Sequence, residues 1–163
     1  MNWSALGKKY LPHIIIVFIF AFLSMMYMSP MLQHKALPQG DVTQWAGSYQ
    51  EVANYYQKSG ERTLWTNSMF GGMPTYVISP YSPNSLIILR QVYDLFVGGN
   101  TIFPVPMNAV FLYMLSAFLM LLAFRVNPWV AMTGAIAYAF VSFNFVILEA
   151  GHMSQAYAIG TAP

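Results

Sequence analysis

Side chains that could carry out chemistry fall in two polar stretches of an otherwise apolar sequence. The first stretch begins at Asp41 and continues into a turn with Trp65 and Asn67, and the second contains Glu149 and His152. A carboxylate such as Asp41 can take a proton from an attacking hydroxyl. Glu149 and His152 together could hold a divalent cation or position a phosphate. We take these residues as candidates for a catalytic or binding surface.

Each candidate also has a structural explanation. Asp41 precedes an amphipathic stretch, so it is well placed as a helix N-cap, with Gln44 at the third helical position as its capping-box partner. Glu149 and His152 are three positions apart and would face one direction on a continued helix. Gly151 between them favours a helix end that separates them. Spacing alone leaves these alternatives open, including a Glu149–His152 hydrogen bond without any ligand.

The turn that ends at Pro74 offers a different kind of contact. Gly71 and Gly72 permit backbone angles that are closed to other residues, and the Met73-Pro74 pair stiffens the segment that follows. Trp65 could stack on a sugar ring or lie in the aromatic belt of a membrane interface. The two glycines are not a phosphate-binding P-loop, because the lysine and the strand–helix context are both missing.

The composition places the chain among membrane proteins. Of its 163 residues, 57% are hydrophobic and 7% are charged, whereas about a quarter of the residues in a soluble domain are charged. The net charge is +2 and the basic residues are scattered, which argues against a nucleic-acid partner. Cysteine is absent, so neither disulfides nor thiolate chemistry is available.

Three apolar runs are long enough to cross a lipid bilayer as helices, at residues 11–28, 105–124 and 129–148. Lys8 and Lys9 place the N-terminus in the cytoplasm, and Arg125 marks the same side. The loop 30–104 and the residues after the third run then share the outer face. We expect an all-α, polytopic protein of a bacterial cytoplasmic membrane, with further spans beyond Pro163.

The outer loop contains two predicted helices. The first follows Asp41 and ends at Gly60, and its apolar residues recur at spacings of three and four, which gives one stripe. The stripe consists of Val42, Trp45, Tyr49, Val52 and Tyr56. The second predicted helix, at residues 85–96, ends before two glycines and would lie in the membrane interface.

Taken together, these segments resemble the YfhO family of bacterial integral membrane proteins, within the GT-C class of glycosyltransferases. The matching pieces, in chain order, are Gly40-Asp41, Leu64-Trp65-Thr66-Asn67, Phe70-Gly71-Gly72-Met73-Pro74, Asn108, residues 131–143 and Gly151-His152. The resemblance implies an enzyme that transfers a sugar from a polyprenyl-phosphate donor to a cell-envelope glycan or polymer at the outer face.

The resemblance also implies roles for the candidate residues. Asp41 matches the acid of the first outer loop, which acts as the general base. Glu149 lies in the next outer loop, where acids help to hold donor phosphate or a cation such as Mg²⁺ or Mn²⁺, with His152 as its neighbour. The expected substrate-binding residues are Trp65, Asn67, Gly71, Gly72 and His152. This chain alone is expected to lack the donor-binding spans.

Two other functions remain open at this point. A transporter or flippase-like protein for a lipid-linked intermediate would share the spans and the outer loop. However, all five acids lie outside the predicted spans, whereas ion-coupled transporters place ionisable groups inside them. A non-catalytic membrane scaffold is the second alternative, with Asp41 serving only as a helix cap.

Overall fold

The computed structural model describes residues 3–33, 35–78 and 103–163, and the chain is mostly helical there. The elements in chain order are α1 (Trp3–Tyr27), α2 (Ser29–Leu32), α3 (Gly40–Ser59), β1 (Trp65–Thr66), β2 (Met73–Pro74), a 3-10 turn (Thr75–Val77), α4 (Met107–Ala123), α5 (Pro128–Ala139), α6 (Ser142–Ala150) and α7 (Met153–Thr161). The fold class is all-α, as predicted. The predicted helix at residues 85–96 lies outside the described residues.

Helix α1 is long and apolar enough to cross a membrane by itself, over Gly7–Tyr27. Helix α4 coincides with the second predicted span, but Met107–Ala123 is shorter than a full crossing usually requires. Helices α5 and α6 reach that length only together, and they are bent by 45° with respect to each other. The third predicted span is therefore not one continuous helix.

The buried amide of Asn144 satisfies the backbone at this bend. Its Nδ2 donates to the carbonyl oxygens of Tyr138 at 2.9 Å and of Ala139 at 3.2 Å. The last carbonyls of a helix have no partner within that helix, so a side-chain donor here replaces the interrupted bonds. Residues 135–150 contain neither proline nor glycine, the usual causes of a sharp kink, and the sequence therefore predicted no break.

Small residues allow α4 and α5 to form the most extensive helix contact among the described elements. Ala131, Ala135 and Ala139 recur every four residues on one face of α5, and all three are completely buried. Helix α1 joins this pair through Phe20, whose ring meets that of Phe118 edge-on at a centroid distance of 5.5 Å. The core lies between α1, α4 and α5, and Leu148 of α6 and Ala156 of α7 extend it.

Helix α3 begins earlier than predicted and ends where predicted. Gln39 occupies the N-cap position, without a side-chain capping bond, and Gly40 begins the helix. The prediction of Asp41 as the N-cap, with Gln44 as its partner, is therefore wrong, because Asp41 is already inside the first turn. Gly60 ends the helix in a left-handed conformation with φ +72°, and its N–H donates to the Tyr56 carbonyl, as the sequence predicted.

Candidate functional site

Asp41 and His152, one from each polar stretch of the sequence, are in direct contact. The His152 Nε2 lies 2.5 Å from the Asp41 Oδ2, and about half of each side chain is exposed, at 49% and 50%. Asp41 belongs to the first turn of α3, where the helix dipole favours a negative charge. His152 immediately precedes α7. The structure thus brings together two of the predicted site residues.

Gly151 makes this contact possible. It ends α6 in a left-handed conformation with φ +94°, so the helical turn that would align Glu149 with His152 does not form. A Cβ at Gly151 would lie 3.2 Å from the Cγ2 of Val42 and 3.3 Å from its backbone nitrogen. The close approach of α3 to this turn, together with the positive φ, therefore favours a residue without a side chain.

Gln39 adds a second bond between the same two parts of the chain. Its Nε2 donates to the carbonyl oxygen of Leu148 at 2.5 Å and contacts the Met153 Sδ at 3.6 Å. Leu148 lies in the last turn of α6, where backbone carbonyls need partners from outside the helix. We call the place where the start of α3 meets the end of α6 the corner. It consists of the Gln39–Leu148 and Asp41–His152 bonds and the contact between Gly151 and Val42.

A cavity of about 500 Å³ opens beside the corner. Its lining consists of Asp41, Val42, Trp45, Val77, Ile78, Gly151, Met153 and Ser154. Asp41 provides the charge of this lining. The remaining residues are apolar apart from the Ser154 hydroxyl and the indole N–H of Trp45. A concave site with aromatic and aliphatic walls and few polar groups, of this volume, is typical of small-ligand sites.

A separate polar network holds the turn between β1 and β2. The Glu51 Oε2 accepts a hydrogen bond from the Thr66 hydroxyl at 2.5 Å and one from the Asn67 N–H at 2.9 Å. The Ser68 hydroxyl donates to the Ser48 carbonyl at 2.8 Å. The bond from Thr66, ahead of the backbone donors, holds the pKa of Glu51 below its ordinary value.

Sequence reasoning missed Glu51 as an organising residue. The run Thr66-Asn67-Ser68 groups several hydrogen-bond donors, but only the structure shows that two of them bond to the Glu51 carboxylate. Glu51 is also an interior residue of α3, where a glutamate is usually solvated and makes no such network.

The other predicted substrate-binding residues lie in this turn and outside the lining of the cavity. Asn67 is exposed, and Gly71 and Gly72 have φ +73° and +125°. A Cβ on Gly72 would come within 2.7 Å of the Trp65 Nε1, so this glycine lets the indole lie against the backbone. Glu149 is exposed on α6 and is likewise absent from the lining.

The described residues do not form an evident site for the expected cation. Mg²⁺ and Mn²⁺ prefer oxygen ligands, whereas the predicted ligands, Glu149 and His152, offer one carboxylate and one imidazole. The Nε2 of His152 is engaged with the Asp41 carboxylate, so that nitrogen is not free to bind a cation together with Glu149. Within residues 3–33, 35–78 and 103–163, no three His, Cys, Asp or Glu side chains gather as a metal site would require. Cation binding by Glu149 and His152 stays a prediction.

His13 is an ionisable residue within α1 that sequence reasoning also missed, because it weighed only the acids. Its Nδ1 is buried and has no hydrogen-bond partner in the described part of the chain. The imidazole lies 6.3 Å from the ring of Phe118, beside an apolar groove of about 300 Å³ between α1 and α4.

No family model, curated protein or solved structure matches this chain. The resemblance to the YfhO family therefore remains a prediction made from the ordered motifs.

Proposed function

We propose that this chain is part of a GT-C-class membrane glycosyltransferase, which transfers a sugar from a polyprenyl-phosphate donor to a cell-envelope acceptor at the extracytoplasmic face. The contact of 2.5 Å between Asp41 and His152, at the wall of the cavity, is the observation that carries this proposal. A carboxylate held at the edge of a ligand-sized cavity has the placement that a general base requires. The ordered sequence resemblance supports the choice of reaction class.

In the proposed reaction, Asp41 uses the oxygen that His152 leaves available. The acceptor hydroxyl gives its proton to the Oδ1 of Asp41, and its oxygen forms a bond to the anomeric carbon of the donor. The bond from that carbon to the phosphate oxygen breaks, and the phosphate leaves with the electron pair. The residues that line the cavity carry no positive charge, so other parts of the protein must stabilise the departing phosphate.

His152 acts through Asp41 in this proposal and does not contact the substrate. The cavity is lined by Asp41 and by Gly151, whereas His152 is not one of the lining residues. Its imidazole holds Oδ2 and so restricts the rotation of the carboxylate beside the cavity. Enzymes gain a substantial part of their rate enhancement by holding catalytic groups in one geometry.

The proposed topology has α1, α4 and the bent α5–α6 pair crossing the membrane, with the N-terminus in the cytoplasm. Lys8 and Lys9 at the start of α1 support this orientation. The corner follows α1 and also follows the α5–α6 pair, so it lies on the outer side in this arrangement. That side is where polyprenyl-phosphate sugars are used.

The substitution Asp41→Asn in the intact protein tests the role of the base. We expect the rate of sugar transfer to fall at least about 100-fold, because a general base contributes roughly 10²- to 10⁴-fold. Transfer from radiolabelled polyprenyl-phosphate sugars is measured in membranes, with insertion and thermal unfolding checked in parallel. Glu61→Gln is the matched control, since Glu61 is an exposed acid that follows the other end of α3.

Two outcomes would count against the proposal in different ways. Normal transfer by the Asp41→Asn protein would remove Asp41 as the base. Failure of the wild-type protein to transfer sugar from any polyprenyl-phosphate donor would remove the enzyme assignment itself.

His13 is the observation that favours the alternative, a transporter or flippase-like protein for a lipid-linked intermediate. An ionisable side chain inside a membrane span usually marks a transport pathway or a binding site. His13→Phe would abolish such transport, measured as movement of a fluorescent polyprenyl-phosphate sugar across proteoliposomes. It would leave transfer by the proposed glycosyltransferase unchanged.

A further inference from the structure

Trp45, and not Trp65, is the indole that lies beside the candidate base. Trp65 belongs to the turn between β1 and β2, where its ring lies against Gly72. Trp45 lines the same cavity as Asp41. The two residues are four positions apart on α3, which places their side chains next to each other, with Cβ atoms about 5–6 Å apart. The cavity therefore has a carboxylate and an aromatic ring on one wall.

Two contacts fix the orientation of the Trp45 ring. Its Nε1 donates to the carbonyl oxygen of Ile78 at 2.7 Å. The ring also stacks on that of Tyr49, with centroids 5.3 Å apart and planes inclined by 12°. The near-parallel pair differs from the edge-on contact of Phe20 with Phe118 in the core. Tyr49 therefore covers part of one face of the indole, whose polar edge is already hydrogen-bonded to Ile78.

The indole nevertheless stays accessible. Trp45 is 40% exposed, as are Val42 at 39% and Tyr56 at 48% in the same predicted apolar stripe, whereas Val52 is buried. What distinguishes Trp45 from Tyr49 and Tyr56, the other aromatic residues of the stripe, is that it lines the cavity together with Asp41.

We propose that Trp45 is the platform on which a pyranose ring of the acceptor stacks, with one ring hydroxyl directed at Asp41. The C–H face of a pyranose is apolar and packs on an aromatic ring, while its hydroxyls at the rim need hydrogen-bond partners. The lining supplies both kinds of group, since Asp41 and the Ser154 hydroxyl lie around the apolar wall. The inference rests on the proposed glycosyltransferase and names its acceptor as a glycan.

The remaining lining fits the same ligand. Val77 and Ile78 follow β2, and Met153 begins α7, so the walls facing α3 are mainly aliphatic. The bond from Trp45 to Ile78 ties one of these walls to the platform. An acceptor without a ring, such as a linear polyol phosphate, would leave this surface unused.

Binding of simple sugars to the intact, detergent-solubilised protein tests the inference. The probes are methyl glycosides of glucose, galactose, mannose and N-acetylglucosamine, with glycerol as the acyclic comparison, observed by saturation-transfer difference NMR. We expect the ring C–H protons of at least one pyranoside to receive saturation, and glycerol to receive none. Trp45→Ala should weaken that binding about tenfold, which corresponds to about 1.4 kcal/mol.

The variants separate stacking from folding. Trp45→Phe keeps a ring but loses the bond to Ile78, so it should retain part of the binding even if Trp45→Ala is poorly folded. Trp129→Ala is the matched control, because Trp129 is an exposed indole at the start of α5, outside the cavity lining. It should bind sugar as the wild type does.

Three results would overturn the inference. They are equal binding by Trp45→Ala and the wild type, loss of binding in Trp129→Ala to the same degree, and absence of pyranoside binding to the wild-type protein. None of them depends on the transfer assay with Asp41→Asn. The transfer assay can therefore still support Asp41 as the general base if the proposal of a glycan acceptor is wrong.

Discussion

Gly151 packs against Val42 so closely that a Cβ on the glycine would lie 3.2 Å from the Val42 Cγ2. This contact sets the distance between the first turn of α3 and the end of α6. The bonds of the corner, from Gln39 to Leu148 and between Asp41 and His152, form at this separation. The position of the candidate base thus depends on a residue that has no functional group of its own.

Gly151→Ala should therefore disturb both stability and activity. The left-handed conformation with φ +94° disfavours alanine, and the new methyl group would push against Val42. We expect a loss of about 1–3 kcal/mol in the free energy of unfolding, together with reduced transfer. Thermal unfolding in detergent and the transfer assay measure the two effects.

Gly47→Ala is the matched control for that substitution. Gly47 lies inside α3, and a Cβ there would meet nothing within 4 Å. Alanine should leave stability unchanged or raise it by up to about 1 kcal/mol, because glycine is a poor helix former. If the two variants lost the same stability, the proposed role of Gly151 would be wrong.

Acid should release the turn that Glu51 holds. Because the hydrogen bond from Thr66 lowers the pKa of Glu51, the network contributes its full stability above the ordinary glutamate pKa. That contribution is lost as the pH falls through the lowered pKa of the folded state. Fluorescence of Trp65, in a protein whose other tryptophans are replaced by phenylalanine, should change over this acidic interval.

Two substitutions check the origin of the acid effect. Glu51→Gln should give the released, acid-like signal at every pH. The Glu61→Gln protein should show the same acid-induced change in Trp65 fluorescence as the wild type. Glu61 lies beyond the end of α3, and its described hydrogen bonds are made by its backbone to Ser59. An unchanged acid transition in the Glu51→Gln protein would contradict the assignment.

Gly72→Ala should be more damaging than Gly71→Ala. Both glycines have positive φ, so alanine costs roughly 1–2 kcal/mol of backbone strain at either position. Only the Cβ at Gly72 would meet another group, the Trp65 Nε1 at 2.7 Å, whereas the space at Gly71 is open. Chemical unfolding of the two variants measures the difference.

Adding Trp65→Ala to the Gly72→Ala protein should remove much of the difference in stability between the two glycine variants. In the double variant the obstructing ring is absent, so the combined loss of stability should be smaller than the sum of the two single losses. Strict additivity would show that the indole and Gly72 are not coupled.

Asn144→Leu should destabilise the bend between α5 and α6. Leucine has a similar size but no donor, so the carbonyls of Tyr138 and Ala139 would lose their bonds in an apolar environment. We expect a loss of about 1–3 kcal/mol for each buried carbonyl left without a partner. Unfolding by sodium dodecyl sulfate titration provides the measurement.

Asn54→Leu serves as the comparison for Asn144→Leu. Asn54 is exposed on α3, and a surface substitution of this kind usually changes stability by less than about 0.5 kcal/mol. A similar loss in both proteins would mean that the amide of Asn144 does not support the bend.

Helix ends decided by neighbouring residues were predicted in part: the N-cap of α3 is Gln39 and not Asp41, but other ends follow from the sequence. Gly60 ends α3 as a left-handed residue because glycine carries no steric penalty there. Pro128 begins α5, a position that suits proline, and the Asn127 side chain accepts the N–H of Trp129 at 3.0 Å. These outcomes depend on one turn of backbone, which local sequence describes.

Features decided by distant contacts were not predictable in the same way. The sequence predicted that Asp41 and His152 lie on one side of the membrane, but the turn at Gly151 and the bond from Gln39 were needed to join them. Trp45 and Trp65 are both tryptophans beside polar residues. Only the tertiary contacts place Trp45 at the cavity and Trp65 against the backbone.

In the proposed topology, the bend at Asn144 also constrains biosynthesis. With 12 residues in α5 and 9 in α6, neither helix alone covers the hydrocarbon thickness of a bilayer. The two must leave the translocon as one unit, and the amide of Asn144 must reach the end of α5 before lipid surrounds it. A nascent chain arrested between α5 and α6 would hold a segment too short to remain in the membrane.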